Sequence, residues 1–243
     1  MQPRYAAHPQ HPTPAINHSR PLKQGLAPAT VRRYYAPVRA LLATAYEDGK
    51  LRTNPAAGVR VVVKDTRSRT PKWLTTEQTK LLLAEMPAEH ADLAYFIAAT
   101  GCRISEALAA AWGDFGPDDD GRIVLTIAKS KTEAGLRTIP LSAETVKRLT
   151  RRRTESRYGA DGAPIFASSA GTPVDPHNFR HQVFKPAAWR AGVEWATPHK
   201  LRHGLASLMA QQGYSPAQIA AHLGHADGGV LALRTYIHAD PAG

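Results

Sequence analysis

His199, Arg202 and His203 stand at positions i, i+3 and i+4 of one short stretch. On a helix that spacing puts all three on one face. Two imidazoles and a guanidinium can all donate hydrogen bonds, which suits an anion. Two other readings stay open on these residues alone. Histidines at i and i+4 have the spacing of a zinc-protease helix, but that motif places Glu after the first His, where this chain has Lys200. A neighbouring arginine also opposes a dication, so no metal is expected. The plainer alternative is a solvated basic face. Three further segments carry reactive residue types. Arg103 follows Thr100-Gly101-Cys102, His225 ends Leu223-Gly224-His225, and Tyr236 lies within Arg234–His238. Taken singly, an arginine opening a helix is usually a surface residue, a histidine closing one a cap, and a tyrosine a packing group.

The elements that must position these residues follow from apolar period and cap chemistry. Val31, Tyr34, Tyr35, Val38, Leu41, Leu42 and Tyr46 recur at helical spacing, with Pro37 placed to kink or split the helix. Residues 60–72 are charged and read as an extended linker. Thr75 with Gln78 forms a capping box ahead of a second helix. Helices are expected from Ala91 to the break at Thr100-Gly101 and again over 104–112. Asp118-Asp119-Asp120-Gly121 is a turn signal before a β-rich run over 123–127, and 137–141 alternates like a returning strand. Ser142 caps a basic helix ending in Arg151-Arg152-Arg153, and 166–173 is a Ser/Gly loop. Three helices close the chain, over 178–191, 198–212 and 216–223. The second and third open on Thr197-Pro198 and Ser215-Pro216, and Gly213 stops the second. Leu201, Leu205 and Leu208 point away from the His199 face and would hold that helix to the core. The expected fold is mainly α with a small antiparallel β-sheet.

Composition narrows the partner. Of 243 residues, 31 are Lys or Arg and 20 Asp or Glu, a formal charge of +11 that favours polyanions. No apolar run approaches the roughly 20 residues of a membrane-spanning helix, and no apolar secretory leader opens the chain. The single cysteine, Cys102, cannot form an internal disulfide and suits a reducing cytoplasm. The first 25 or so residues, rich in Pro, His and Ala, read as disordered.

The joint order of the reactive segments is far more specific than any one of them. Thr-Gly-x-Arg-x-Ser-Glu-x-Leu at 100–108, His-x-x-Arg-His at 199–203, Leu-Gly-His at 223–225 and Thr-Tyr-x-His at 235–238 closely resemble the catalytic signature of the tyrosine recombinase (phage integrase) family. Ser130-Lys131-Thr132, followed by Arg137-Thr138-Ile139-Pro140-Leu141, resembles that family's β-hairpin with its catalytic lysine. The resemblance runs over about residues 70–238. It implies the integrase catalytic fold and cleavage of DNA through a 3′-phosphotyrosine at Tyr236. Arg103 and Arg202 would clamp the scissile phosphate and His225 add a donor. His199 would assist proton removal or orient the phosphate, and Lys131, with Lys129 as fallback, would protonate the departing 5′-oxygen. Glu106 and His203 would support the site from behind. Fixed guanidinium forks suit this chemistry because phosphoryl transfer spreads negative charge over non-bridging oxygens. The covalent link conserves the bond energy, so no cofactor is implied.

The same resemblance divides the chain into a disordered 1–25, a truncated helical core-binding remnant at 26–59, a linker at 60–72 and the catalytic domain at 73–243. Departures from the family pattern are a longer interval from His225 to Tyr236 holding Gly228-Gly229, an end seven residues after Tyr236, and no arm-binding domain. The implied partners are double-stranded DNA, gripped in part by Arg151, Arg152, Arg153 and Arg157, a homo-tetramer formed on DNA from monomers in solution, and an accessory directionality factor. A cytoplasmic, nucleoid-associated protein serving integration or excision of a mobile element is expected. The rival readings are a type IB topoisomerase-like enzyme and a non-enzymatic DNA-binding remnant.

Overall fold

The computed structural model describes residues 28–59, 73–128 and 135–225. The chain divides into two units, Met1–Arg69 and Thr70–Gly243. In the first, α1 (Pro28–Glu47) is one 20-residue helix with Pro37 inside it, so of the two expected outcomes, a kink or a split, the split does not occur. Pro37 removes one N–H bond, and on this exposed stretch water can take the freed carbonyl. Tyr34, Val38, Leu41 and Tyr46, part of the apolar period, lie on the exposed side. Gly49 (φ 69°) follows the helix, and Asn54 Oδ1 accepts the Ala56 N–H in the turn beyond it.

The second unit is a helical body with a three-stranded antiparallel sheet. Thr75 caps α2 (Thr76–Ala84) by the capping box with Gln78. α3 (Ala88–Thr100) is the central helix, burying Leu93, Ala94, Phe96 and Ile97, and it packs along the helix at Pro198–Gln211. α4 (Ile104–Ala109) is shorter than its sequence period suggests. The chain leaves the helix at Ala110, Ala111 bridges to Pro164, and Trp112 turns into the core to donate Nε1–H to the Tyr158 carbonyl (2.8 Å). Burial of a full indole with its donor satisfied outweighs one more helical turn.

β1 (Phe115–Pro117), β2 (Ile123–Ile127) and β3 (Arg137–Pro140) form the sheet in that order, with Phe115 opposite Leu125 and Leu125 opposite Ile139. The inward residues Leu125, Ile127 and Ile139 join the core, while Thr126 faces out, as the period of two requires. α5 (Ala143–Glu155) starts on the Ser142 cap.

The next helix begins earlier than expected, at Pro176, because Asp175 accepts the Asn178 N–H. α6 (Pro176–Asn178) runs into a π-helical stretch (Phe179–Phe184) and then α7 (Lys185–Arg190). Pro186 explains the widened turn: it has no N–H to give and its ring crowds the preceding carbonyl, so the ladder shifts to the Lys185 N–H reaching the Arg180 carbonyl. α8 (Pro198–Gln211) and α9 (Pro216–Leu223) complete the unit and share a second apolar cluster of Ala206, Met209, Ile219 and Leu223. Of the three leucines expected beneath α8, Leu201 is buried and Leu205 packs on this cluster, but Leu208 is 41% exposed and Met209 takes the inward place. No helix among the described residues is long and apolar enough to cross a membrane.

Candidate active site

The corner between α3 and α4 carries Arg103. Gly101 closes α3 in the left-handed region (φ 68°) and donates to the Ile97 carbonyl. An added Cβ there would lie 2.6 Å from Leu223 Cδ2 and 3.0 Å from Leu205 Cδ2, so the corner rests directly against α8 and α9. Gly101→Ala is therefore expected to destabilise the fold by about 2 kcal/mol, combining left-handed strain with overpacking of a fully buried leucine. Chemical denaturation of the variant checks this.

Arg103 opens α4, and Glu106 reaches back to it. Glu106 Oε2 accepts the Arg103 backbone N–H (3.0 Å), and Oε1 takes the Arg103 guanidinium (2.5 Å). The same carboxylate accepts Arg137 from the start of β3 (3.0 Å). Burial alone would push the Glu106 carboxyl up, but the bonds from Arg137 and Arg103 outweigh it and hold the group below the usual carboxylate range. Glu106 is thus an anion pinned between two guanidiniums.

Three arginines meet at the end of α9. Arg137 Nε donates to the His222 carbonyl (2.7 Å), Arg202 to that of Leu223 (2.6 Å) and Arg103 to that of Gly224 (3.2 Å). These carbonyls at the helix end have no intrahelical partner and carry the negative end of its dipole, so cations suit them. Arg202 also donates to the Gly101 carbonyl at the end of α3 (2.6 Å). It is only 2% exposed, and burial, followed by repulsion from Arg103, lowers its pKa to about 10. Among the described residues Glu106 is the one carboxylate bonded within this cluster of three guanidiniums, which leaves them with an excess of positive charge suited to an anion.

The histidines surround this cluster. His199 and His203 stack edge to face on α8 with ring centroids 4.6 Å apart. His199 is exposed, yet partial desolvation first, and then Arg202, Arg103, Lys200 and Arg180, hold it below its ordinary value. Burial, then His199 and Lys200, push His203 down to about 4. His222 is lowered by burial and directs Nε2 to the Thr100 carbonyl (3.1 Å), so that nitrogen carries the proton. His225 follows the Gly224 cap, one residue beyond the Arg103 contact. Among the described residues no three His, Cys, Asp or Glu side chains gather as metal ligands.

A depressed histidine pKa fixes a sign. Between pH 6.5 and about 4 the unfolded chain binds more protons at His203 than the folded one, so stability falls as pH drops through that window. His199 and His222 act in the same direction. The expected result is a thermal midpoint that declines from pH 7 to pH 4.5, with a shallower slope in His203→Gln. An unchanged slope in that variant would remove His203 from the account.

Five of the expected residues, Arg103, Glu106, His199, Arg202 and His203, are thus gathered around the ends of α3 and α9 with His225 adjoining. Lys131, Lys129 and Tyr236 lie outside the described residues, as do the 60–72 linker and residues 1–25. The basic run of α5 has internal partners: Arg151 pairs with Asp92 (3.0 Å), Arg152 holds the Ile165 and Glu89 carbonyls and covers Phe166, and Arg153 holds the Gly159 carbonyl and Asp161 beside Trp112. Arg157 is exposed. Sequence reasoning missed Arg137 as a site residue and placed it only within a strand pattern. An arginine at a strand's inward register, opposite Ile127, was the available signal.

Residues 72–242 match the family model described as the phage integrase family. The tyrosine recombinase XerC of Xylella fastidiosa (strain 9a5c) is 24% identical over 225 residues, covering 90% of this chain and 72% of that protein. The XerC of Thermodesulfovibrio yellowstonii is 26% identical over 237 residues, covering 91% of this chain and 75% of the relative. The Tn1549 transposon integrase, solved in complex with circular intermediate DNA, superposes with a TM-score of 0.72 at 23% identity, over 87% of this chain and 76% of that one.

Proposed function

The chain belongs to the phage integrase family of tyrosine recombinases, and from that premise we propose that it cuts and rejoins DNA through a phosphotyrosine at Tyr236, in integration or excision of a mobile element. The observation that carries this reading is the cluster of Arg103, Arg137 and Arg202, in which Glu106 is the one bonded carboxylate among the described residues. Such an excess of fixed positive charge suits a phosphodiester whose negative charge grows in the transition state.

The Tyr236 phenol oxygen attacks the scissile phosphorus and its proton passes to His199 or to water beside it. The bond to the 5′-oxygen breaks, and that oxygen takes a proton from Lys131. Arg103 and Arg202 neutralise the non-bridging oxygens, with His225 as a further donor. Attack by a 5′-hydroxyl on the phosphotyrosine reverses every step, so no external energy source enters. Double-stranded DNA is the partner; the solved transposon integrase is bound to circular intermediate DNA. Arg157 and the exposed side of Arg151 contact phosphates, while Arg152 and Arg153 brace that surface. Four copies assemble on two sites, from monomers in solution and with an accessory factor setting direction. Residues 26–59 act as the reduced core-binding part, and 73–243 as the catalytic domain.

The test is incubation with nicked suicide duplexes drawn from the flanking genomic DNA. An SDS-resistant, protease-sensitive protein–DNA adduct, forming without nucleotide or metal, is expected. Specific binding by gel shift with no adduct would overturn the enzymatic reading and favour a DNA-binding remnant. Relaxation of supercoils without site preference would favour the topoisomerase-like reading.

A further inference from the structure

We propose that Arg137 is a positioning residue of the strand-transfer site, locking Glu106 to the end of α9 so that Arg103, Arg202 and the backbone at His225 meet the phosphate in one fixed arrangement. This rests on the function proposed above for the same site. Arg137 has a side chain only 8% exposed, and all three of its guanidinium nitrogens are engaged. NH2 reaches Glu106 on α4, Nε reaches the His222 carbonyl on α9, and NH1 reaches the Gly135 carbonyl at the root of its own strand (2.8 Å). No other described side chain bonds α4, α9 and the approach to β3 at once.

The consequence is geometric. Arg103 has two tethers, Glu106 and the Gly224 carbonyl, and Arg137 holds the elements bearing both. His222 closes the loop, since its ring reaches the Thr100 carbonyl three residues before Arg103 while its own carbonyl takes Arg137. Removing Arg137 frees Glu106 to follow Arg103 alone and leaves the His222 carbonyl without its cation. Arg103 and Arg202 then keep their own charges but lose their aim, and misplacement by about 1 Å is enough to cost about 100-fold in rate. A planar fork with three acceptors in three directions is also beyond an ammonium, so Arg137→Lys should not restore the arrangement.

The experiment uses the full chain with Arg137→Met and Arg137→Lys, both checked for folding by thermal melt. Adduct formation is measured on ordinary suicide DNA and on DNA whose scissile phosphate carries a methyl in place of one non-bridging oxygen. That neutral phosphonate needs less from the clamp. The expected outcome is DNA affinity within threefold of the parent, about 100-fold slower adduct formation on ordinary DNA, and a loss smaller than tenfold on the phosphonate. Equal losses on both DNAs, or a rate within threefold of the parent on ordinary DNA, would overturn the proposal. A readout without DNA separates its failure from that of the functional reading: amide exchange at residues 220–225 should quicken at least tenfold in Arg137→Met while α5 is unchanged. If the parent forms no adduct, the enzymatic reading falls, and unchanged exchange overturns the Arg137 network independently.

Discussion

Arg202→Lys is expected to slow covalent adduct formation by about a thousandfold or more while weakening the fold. The guanidinium of Arg202 spans two helix ends, giving one nitrogen to the Gly101 carbonyl and another to that of Leu223, each at 2.6 Å. Lysine brings one nitrogen on a differently shaped stem and cannot hold both carbonyls while facing a phosphate. Loss of a single well-placed donor to a developing anion already costs about 100- to 1000-fold, and here the donor also sets the distance between α3 and α9. Arg202→Met goes further, leaving two carbonyls unmet in a site that is 2% exposed. Each unmet group costs about 1–3 kcal/mol, so a stability loss of about 2–6 kcal/mol should appear in urea titration. A lysine variant within tenfold of the parent rate would show that this fork is not needed.

Glu106→Ala is the second large effect. It leaves Arg103 and Arg137 facing each other with no carboxylate between them, beside the buried Arg202. Breaking such a pair by deleting one partner costs about 3–5 kcal/mol, because the remaining charges stay out of water. Glu106→Gln keeps an acceptor and the shape, so it should lose less stability than Ala, yet still slow cleavage because Arg103 is held by a neutral group. The pH dependence has the same sign as that of His203 but lies at lower pH. A carboxylate held below its ordinary range contributes stability that is complete above about pH 4.5 and is lost as pH falls through its folded value. Stability curves of parent and Glu106→Gln should therefore converge in strong acid; a constant gap down to pH 2 would contradict the charge argument.

The local signals that were legible in the sequence are those in which a side chain answers a backbone need within a few residues. Thr75, Ser142 and Ser215 each accept an N–H three residues on, as their types predict. The Asp118–Gly121 turn sits between β1 and β2 because Asp118 collects the Asp120 and Arg122 amides. The candidate residues Arg103, Glu106, His199, Arg202 and His203 were readable as a set from their order along the chain, and the fold gathers them. What was not legible depends on partners far away. α4 stops early because Trp112 finds a carbonyl at Tyr158, 46 residues on. The π-helical stretch follows from Pro186 within an otherwise helical pattern. The arginines of α5 look like a free basic face until Asp92, 59 residues before Arg151, is seen beside them. Arg137 has the same history: two of its three acceptors lie 31 residues before it and 85 after it. An arginine's reach makes its partner a property of the fold and not of its neighbourhood in sequence.

In the proposed reaction the DNA becomes joined to Tyr236 in a site built by Arg103, Glu106 and Arg202. The most direct test is to digest the trapped adduct with protease and nuclease and to identify by mass spectrometry the peptide that retains the nucleotide remnant. The expected product is a phosphotyrosyl peptide spanning 235–243, carrying Tyr236 as its only tyrosine, with no adduct from Tyr236→Phe on the same DNA. A nucleotide on any other residue, or an adduct of undiminished yield from Tyr236→Phe, would contradict it.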